Sequence, residues 1–174
     1  MQIRNAKKYI QSLIKTLCDN DIISEPKEAE KLFSKNKLHK NENGDIVGWI
    51  ISAKEIKFWG VAILDVDEYA EFKQYKKTID LTTFSYHFQP KSSDKLMEYR
   101  IDKDHDEVHA NPAIDSGLND HLNPAELKLN VNKFNLLVSI FIASKYISYD
   151  NLYPLYDQNA ELYNSIIEGQ EGNY

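Results

Sequence analysis

The chain has one cysteine in 174 residues, Cys18, so no disulfide can form within it and the fold must hold by burial alone. Cys18 follows Leu13, Ile14 and Leu17 at helical spacing, which places it beside an apolar stripe as a buried thiol and not as a nucleophile. Only six glycines occur and none is clustered, so there is no phosphate-cradling loop and no dinucleotide fingerprint. A Gly-x-Ser-x-Gly elbow and paired cysteines are missing as well, which excludes kinase, P-loop and common hydrolase chemistry. No apolar run approaches the roughly 18 residues of a membrane span, because even Phe134 to Ile147 is interrupted by Asn135, Ser139 and Lys145. The opening MQIRNAKKYIQSLIKT lacks the apolar core and small-residue cleavage site of a secretory signal, so a soluble, cytoplasmic protein with no membrane partner is expected.

Cations are also scarce. The net charge of −6 argues against a general nucleic-acid coat, which needs clustered Lys and Arg to displace counterions from phosphates. The charge is uneven: residues 1–40 hold nine basic and five acidic side chains, residues 91–174 seven and fourteen. The basic end could meet RNA or an acidic partner, although a solvated helix face explains it equally simply.

What is present suits one α+β domain over 1–174, with 42% hydrophobic residues and a length sufficient for a core. Ala6, Ile10, Leu13, Ile14 and Leu17 predict an amphipathic helix over 4–19, and Ser24 with Pro26 a short second helix near 26–35. Asn41 to Asp45 reads as a turn, followed by strands at Gly48–Ser52 and Lys57–Val66, the second apolar enough for a central strand covered on both faces. Tyr69–Lys77 reads mostly as connection. Asn132 predicts the cap of a buried helix over about 133–147, and Tyr149, Tyr153, Tyr156 and Tyr163 belong to a C-terminal helix within 149–168, before a tail at 169–174. Core packing accounts for most of those tyrosines, with a partner surface as the alternative. The expected architecture is an antiparallel sheet of four to five strands carrying N-terminal helices, the buried helix and the C-terminal one.

Thr78–Gln89 and Lys95–Lys103 flank a turn at Pro90–Asp94, and their alternation predicts a register. Phe88 with Met97, Tyr86 with Tyr99 and Phe84 with Ile101 make an apolar face. His87 with Glu98, Ser85 with Arg100 and Thr83 with Asp102 then make a polar one. Residues 104–125 are poor in apolar residues and read as a long loop.

Four of five histidines, His87, His105, His109 and His121, fall in this hairpin and loop, whereas His39 is isolated and reads as structural. Histidine exchanges protons near neutral pH and is also a common metal ligand, so two chemistries stay open. In the first, two of His105, His109 and His121 serve as general base and acid in phosphodiester cleavage while Arg100 stabilises phosphoryl charge. Tyr86, His87, Glu98 and Asp102 would bind or support the substrate. No protein nucleophile is required, since an RNA 2′-hydroxyl can attack. In the second, His105, His109 and His121 with Asp102, Asp104 or Asp106 hold a divalent metal, although His-x3-His is a ligand pair chiefly on a helix. Turn-forming polar residues of a surface loop are the structural alternative to both.

The same stretches resemble the TumE-like family, toxins of bacterial and archaeal toxin–antitoxin pairs, over residues 43–147. The matching order is Phe84-Ser85-Tyr86-His87-Phe88-Gln89, then Tyr99-Arg100-Ile101-Asp102, then the loop with His105, His109, Pro112 and His121, then the helix after Asn132. The family's loop has adjacent histidines followed by His-x-His, whereas here the histidines are single and spaced. The resemblance implies a cognate antitoxin and an RNA target. A non-enzymatic interaction protein of phage or mobile-element type, binding through its acidic second half and tyrosine-rich end, is the competing expectation.

Overall fold

Apolar residues three and four apart along the N-terminal segment all turn to one side of a helix. In the computed structural model, which describes residues 2–3, 5–32, 35–73, 78–91, 95–104 and 107–170, this helix is α1, Ala6–Asp19. The Asn5 side chain caps it by accepting from the Lys8 amide at 3.0 Å. Tyr9, Leu13 and Leu17 are buried along its inner face, with Cys18 packed partly against the core beside them. A 3-10 turn at Pro26–Glu28 leads into α2, Ala29–Leu32, shorter than the helix expected near 26–35 because the chain already enters a strand at Lys35.

A short β1, Gln2–Ile3, precedes α1, and then six strands follow in sequence order: β2 Lys35–Lys40, β3 Ile46–Phe58, β4 Ala62–Lys73, β5 Thr78–Pro90, β6 Tyr99–Asp104 and β7 Glu107–Pro112. They form a single antiparallel meander, β2-β3-β4-β5-β6-β7, and β1 pairs with the start of β5. The sheet therefore exceeds the four to five strands expected. The surplus comes from segments read as something else.

The run Lys57–Val66 is not one strand. Trp59 and Gly60 take positive φ angles of 49° and 76°, the Val61 amide donates to the Phe58 carbonyl at 2.9 Å, and this turn over residues 59–61 joins β3 to β4. Its apolar residues are continuous because two strand ends meet there. Consequently Tyr69–Lys73, expected as connection, is the second half of β4. The β5–β6 register also differs from expectation by two residues: Phe88 faces Tyr99, His87 faces Arg100, Tyr86 faces Ile101 and Ser85 faces Asp102. Residues 96–98 are drawn away from the sheet. Leu96 is buried, the Met97 amide donates to Tyr146 Oη at 2.8 Å, and the Glu98 carbonyl accepts from Tyr153 Oη at 2.8 Å. A slip of two keeps the side chains that remain paired on their predicted faces. Residues 92–94 of the expected turn lie outside the described residues.

The expected loop 104–125 holds a strand, β7, whose Val108, Ala110 and Pro112 are buried while Glu107, His109 and Asn111 alternate on the other side. Beyond it, α3, Leu136–Ser148, starts three residues later than predicted. Asn135, not Asn132, accepts from the Val138 amide at 3.0 Å, and Asn132 sits in a 3-10 turn, Val131–Lys133. The last helix is α4, Ala160–Gly169, shorter than expected because residues 149–159 form turns.

α1 rests on β3, α3 on β4 and β5, and α4 against α3. Trp49, Phe58, Tyr86, Phe88, Tyr99, Phe134 and Tyr146 fill the layer between sheet and helices. Tyr153 and Tyr163 are buried in it too, while Tyr149 is exposed, so the C-terminal tyrosines are mainly core. No described helix is long and apolar enough to cross a membrane.

A carboxyl side chain is buried in the same layer. Glu68 of β4, 2% exposed, accepts from Tyr9 Oη at 2.9 Å, Trp49 Nε1 at 2.7 Å, Tyr86 Oη at 2.5 Å and the Leu136 amide at 2.9 Å. Burial pushes its carboxyl above the ordinary range, and the four donors pull the other way.

Candidate functional site

With the described helices packed on one face, the opposite face of the sheet keeps its polar side chains accessible. Antiparallel pairing aligns these in rows across the strands. One row reads Ser52, Asp67, Ser85, Asp102, His109 from β3 to β7. The next reads Asp65, His87, Arg100, Asn111 from β4 to β7. The two rows adjoin at β6 and β7, so Arg100, Asp102, His109 and Asn111 form one cluster.

His121 reaches it from the following segment. The Ala110 and Leu122 backbones exchange hydrogen bonds of 2.9 and 2.8 Å, which lays residue 121 alongside β7. The rings of His109 and His121 stand 4.8 Å apart at 36°.

Asp102 is the centre. Its Oδ2 accepts from Arg100 Nε at 2.6 Å and from Asn111 Nδ2 at 3.2 Å, and His109 Nε2 lies 3.6 Å away. The Asp102 side chain is 11% exposed and that of His109 22%, whereas Arg100 is 46% exposed. A half-exposed guanidinium fixed at one edge by a carboxylate can still offer charge to an anion. Asn111 sets the orientation of His121. Because its amide nitrogen donates to Asp102, its Oδ1 faces His121 Nδ1 at 3.3 Å, and an acceptor there assigns the proton to Nδ1. In a neutral ring this tautomer leaves the lone pair on His121 Nε2.

Of the residues singled out from sequence, Arg100, Asp102, His109 and His121 are brought together. His87 lies opposite Arg100, with Nε2 3.8 Å from Glu98 Oε2, so the expected His87–Glu98 contact is diagonal and not direct. Burial pushes the His87 imidazole below its ordinary range, against the opposing pull of Glu98. Tyr86 points into the core and donates to Glu68, on the other side of the sheet from the cluster. His105 and Asp106 lie outside the described residues. His39 sits on the edge strand β2, away from the cluster. Among the described residues, no group of three or more His, Cys, Asp or Glu side chains is arranged to hold a metal ion.

Asn111 was missed from sequence, although its signal was there: Glu107, His109 and Asn111 alternate with Val108, Ala110 and Pro112, as a strand requires. Between β4 and β6 the face dips into a groove of about 470 Å³, lined by Asp67, Tyr69, Ser85, Arg100, Asp102 and His109 among others. The fold and the cluster together define an α+β protein with one antiparallel sheet, helices on its inner face and a histidine–carboxylate site on its open face. No protein-family model, curated protein or solved structure matches the chain.

Proposed function

We propose that the open-face cluster cleaves RNA by metal-independent acid–base chemistry, in the manner of a toxin held in check by an antitoxin. The single observation that supports this most is the arrangement of His121, Asn111, Asp102 and His109 beside Arg100 at the edge of a groove. His121 Nε2 takes the proton of a 2′-hydroxyl, and the freed oxygen attacks the adjacent phosphorus. The bond to the 5′-oxygen breaks, and that oxygen receives a proton from His109, which pairs with Asp102 when protonated. The products are a 2′,3′-cyclic phosphate and a 5′-hydroxyl end. Arg100 offsets charge developing on the phosphoryl oxygens. The toxin role and the antitoxin partner rest on the TumE-like resemblance of the β5–β6 hairpin.

The test is growth on induction, together with cleavage of a labelled RNA by purified protein. His109→Ala and His121→Ala should each relieve toxicity and slow cleavage about 100-fold or more with melting unchanged, as loss of a general acid or base does. Unchanged toxicity in both would sink the proposal.

A second reading, a partner-binding protein with no reaction of its own, is favoured by the acidic second half of the chain, where residues 91–174 hold seven basic and fourteen acidic side chains. Under that reading a basic partner is captured equally well after both histidines are replaced.

A further inference from the structure

We infer that the groove between β4 and β6 is a base subsite that takes guanine next to the cleaved bond. This deepens the reading above and rests on it for the position of the phosphate. Thr83 and Ser85 form the groove floor on β5. Thr83 faces Tyr69 across the β4 pairing, and Ser85 faces Asp67 on β4 and Asp102 on β6. Short side chains along the middle strand and longer ones on both neighbours make a trough. Its banks are Tyr69 and Asp67 on one side and Arg100, Asp102, Asp104 and His109 on the other. Strands lie about 4.8 Å apart, so β4 and β6 are separated by about 10 Å, room for one base and its contacts.

Tyr69 supplies an apolar flank. Its hydroxyl is engaged with Glu71 at 3.3 Å, so the ring is what it offers a ligand, and aromatic rings on open sheets stack bases. Asp67 supplies the selection. Its carboxylate is held by Ser52 Oγ at 2.5 Å and Lys54 Nζ at 3.3 Å, yet more than half of the side chain is exposed, at 54%. A carboxylate accepts up to about four hydrogen bonds, so this one retains capacity. Two parallel donors on one edge are what it requires of a base. Guanine presents N1–H and the N2 amino group side by side. Adenine and cytosine place an acceptor beside their amino group, and uracil flanks its single N–H with two carbonyls. With the base in the trough, Arg100 and His109 stand on the phosphate side.

The experiment is calorimetric titration of the intact protein with the four ribonucleoside 3′-monophosphates, repeated with Asp67→Asn, Tyr69→Ser and His109→Ala, each checked by thermal melting. Guanosine 3′-monophosphate should bind at least about tenfold more tightly than the other three, the discrimination one bidentate pair provides. Asp67→Asn should erase the difference, Tyr69→Ser should weaken all four, and His109→Ala should keep the preference. Equal binding of the four, preference for another base, or a preference that survives Asp67→Asn overturns the guanine subsite. Cleavage of RNA by a protein that fails to select guanosine 3′-monophosphate overturns the subsite alone. Selective binding without cleavage supports the subsite and removes only the catalytic reading.

Discussion

The Leu136 amide, first in α3, donates to Glu68 Oε2 on β4 at 2.9 Å. A strand carboxyl thus satisfies an amide that the helix cannot satisfy itself, at the end where the helix dipole favours negative charge. Asn135 satisfies the Val138 amide of the same turn. Since Tyr9, Trp49 and Tyr86 also donate to Glu68, replacing it with alanine removes the shared acceptor of donors from α1, β3, β5 and α3. Glu68→Ala should cost about 3 kcal/mol, measured by urea denaturation, as removing the acceptor of buried neutral donors does.

Two tyrosines of the core should behave oppositely. Tyr99 is buried with a hydroxyl that meets no partner among the described residues, whereas Tyr146 Oη accepts from the Met97 amide. Removing an unsatisfied hydroxyl relieves a desolvation cost, and removing a satisfied one strands a backbone amide. Tyr99→Phe should therefore raise the melting temperature and Tyr146→Phe lower it, with about 1 kcal/mol in each direction.

His87 gives a pH dependence with a definite sign. Burial lowers its folded pKa from 6.5, so below that pH the unfolded chain takes up a proton that the folded chain resists. Stability contributed by the neutral ring is present above pH 6.5 and is lost as the pH falls below it. Denaturation midpoints at pH 7.5 and 5.5 should differ less in His87→Gln than in the parent protein. An equal drop in both would show that His87 has no part in it.

Asp102 is predicted to position Arg100, Asn111 and His109 and to take no proton in the reaction itself. Asp102→Asn keeps the shape but loses the charge that gathers Arg100, Asn111 and His109. The expected result is a kcat reduced about tenfold or more with KM little changed, because the carboxylate that orients Arg100, Asn111 and His109 is lost. A fall in activity matched by loss of folded protein would assign Asp102 a structural role only.

Much of the site was legible in the sequence because side-chain alternation survives a two-residue error in register. Arg100, Asp102 and His87 reached the polar face from the pattern alone, even though Met97 and Glu98 were placed in the strand. Their removal depends on Tyr146 and Tyr153, which are 49 and 55 residues away, and no local pattern carries that information. The short alternation of β7 was masked by Asn111-Pro112 and by its two charged neighbours, so His109 was expected in a loop. Glu68 was illegible for a different reason. A single Glu on the buried side of a strand looks like an ordinary surface residue until the four donors around it are assembled. The Trp59-Gly60 turn shows the reverse case, in which strong apolar character hid a change of direction.

The meander has a consequence for how the molecule forms. Every strand from β2 to β7 pairs with the next in the chain, so the sheet can close one hairpin at a time with short loops and little entropy lost per step. Joining the helices demands far longer closures: Glu68 meets Tyr9 across 59 residues and Leu136 across 68. The order that follows is a sheet assembled early with its polar face already aligned, and a helical layer locked afterwards around one carboxyl group.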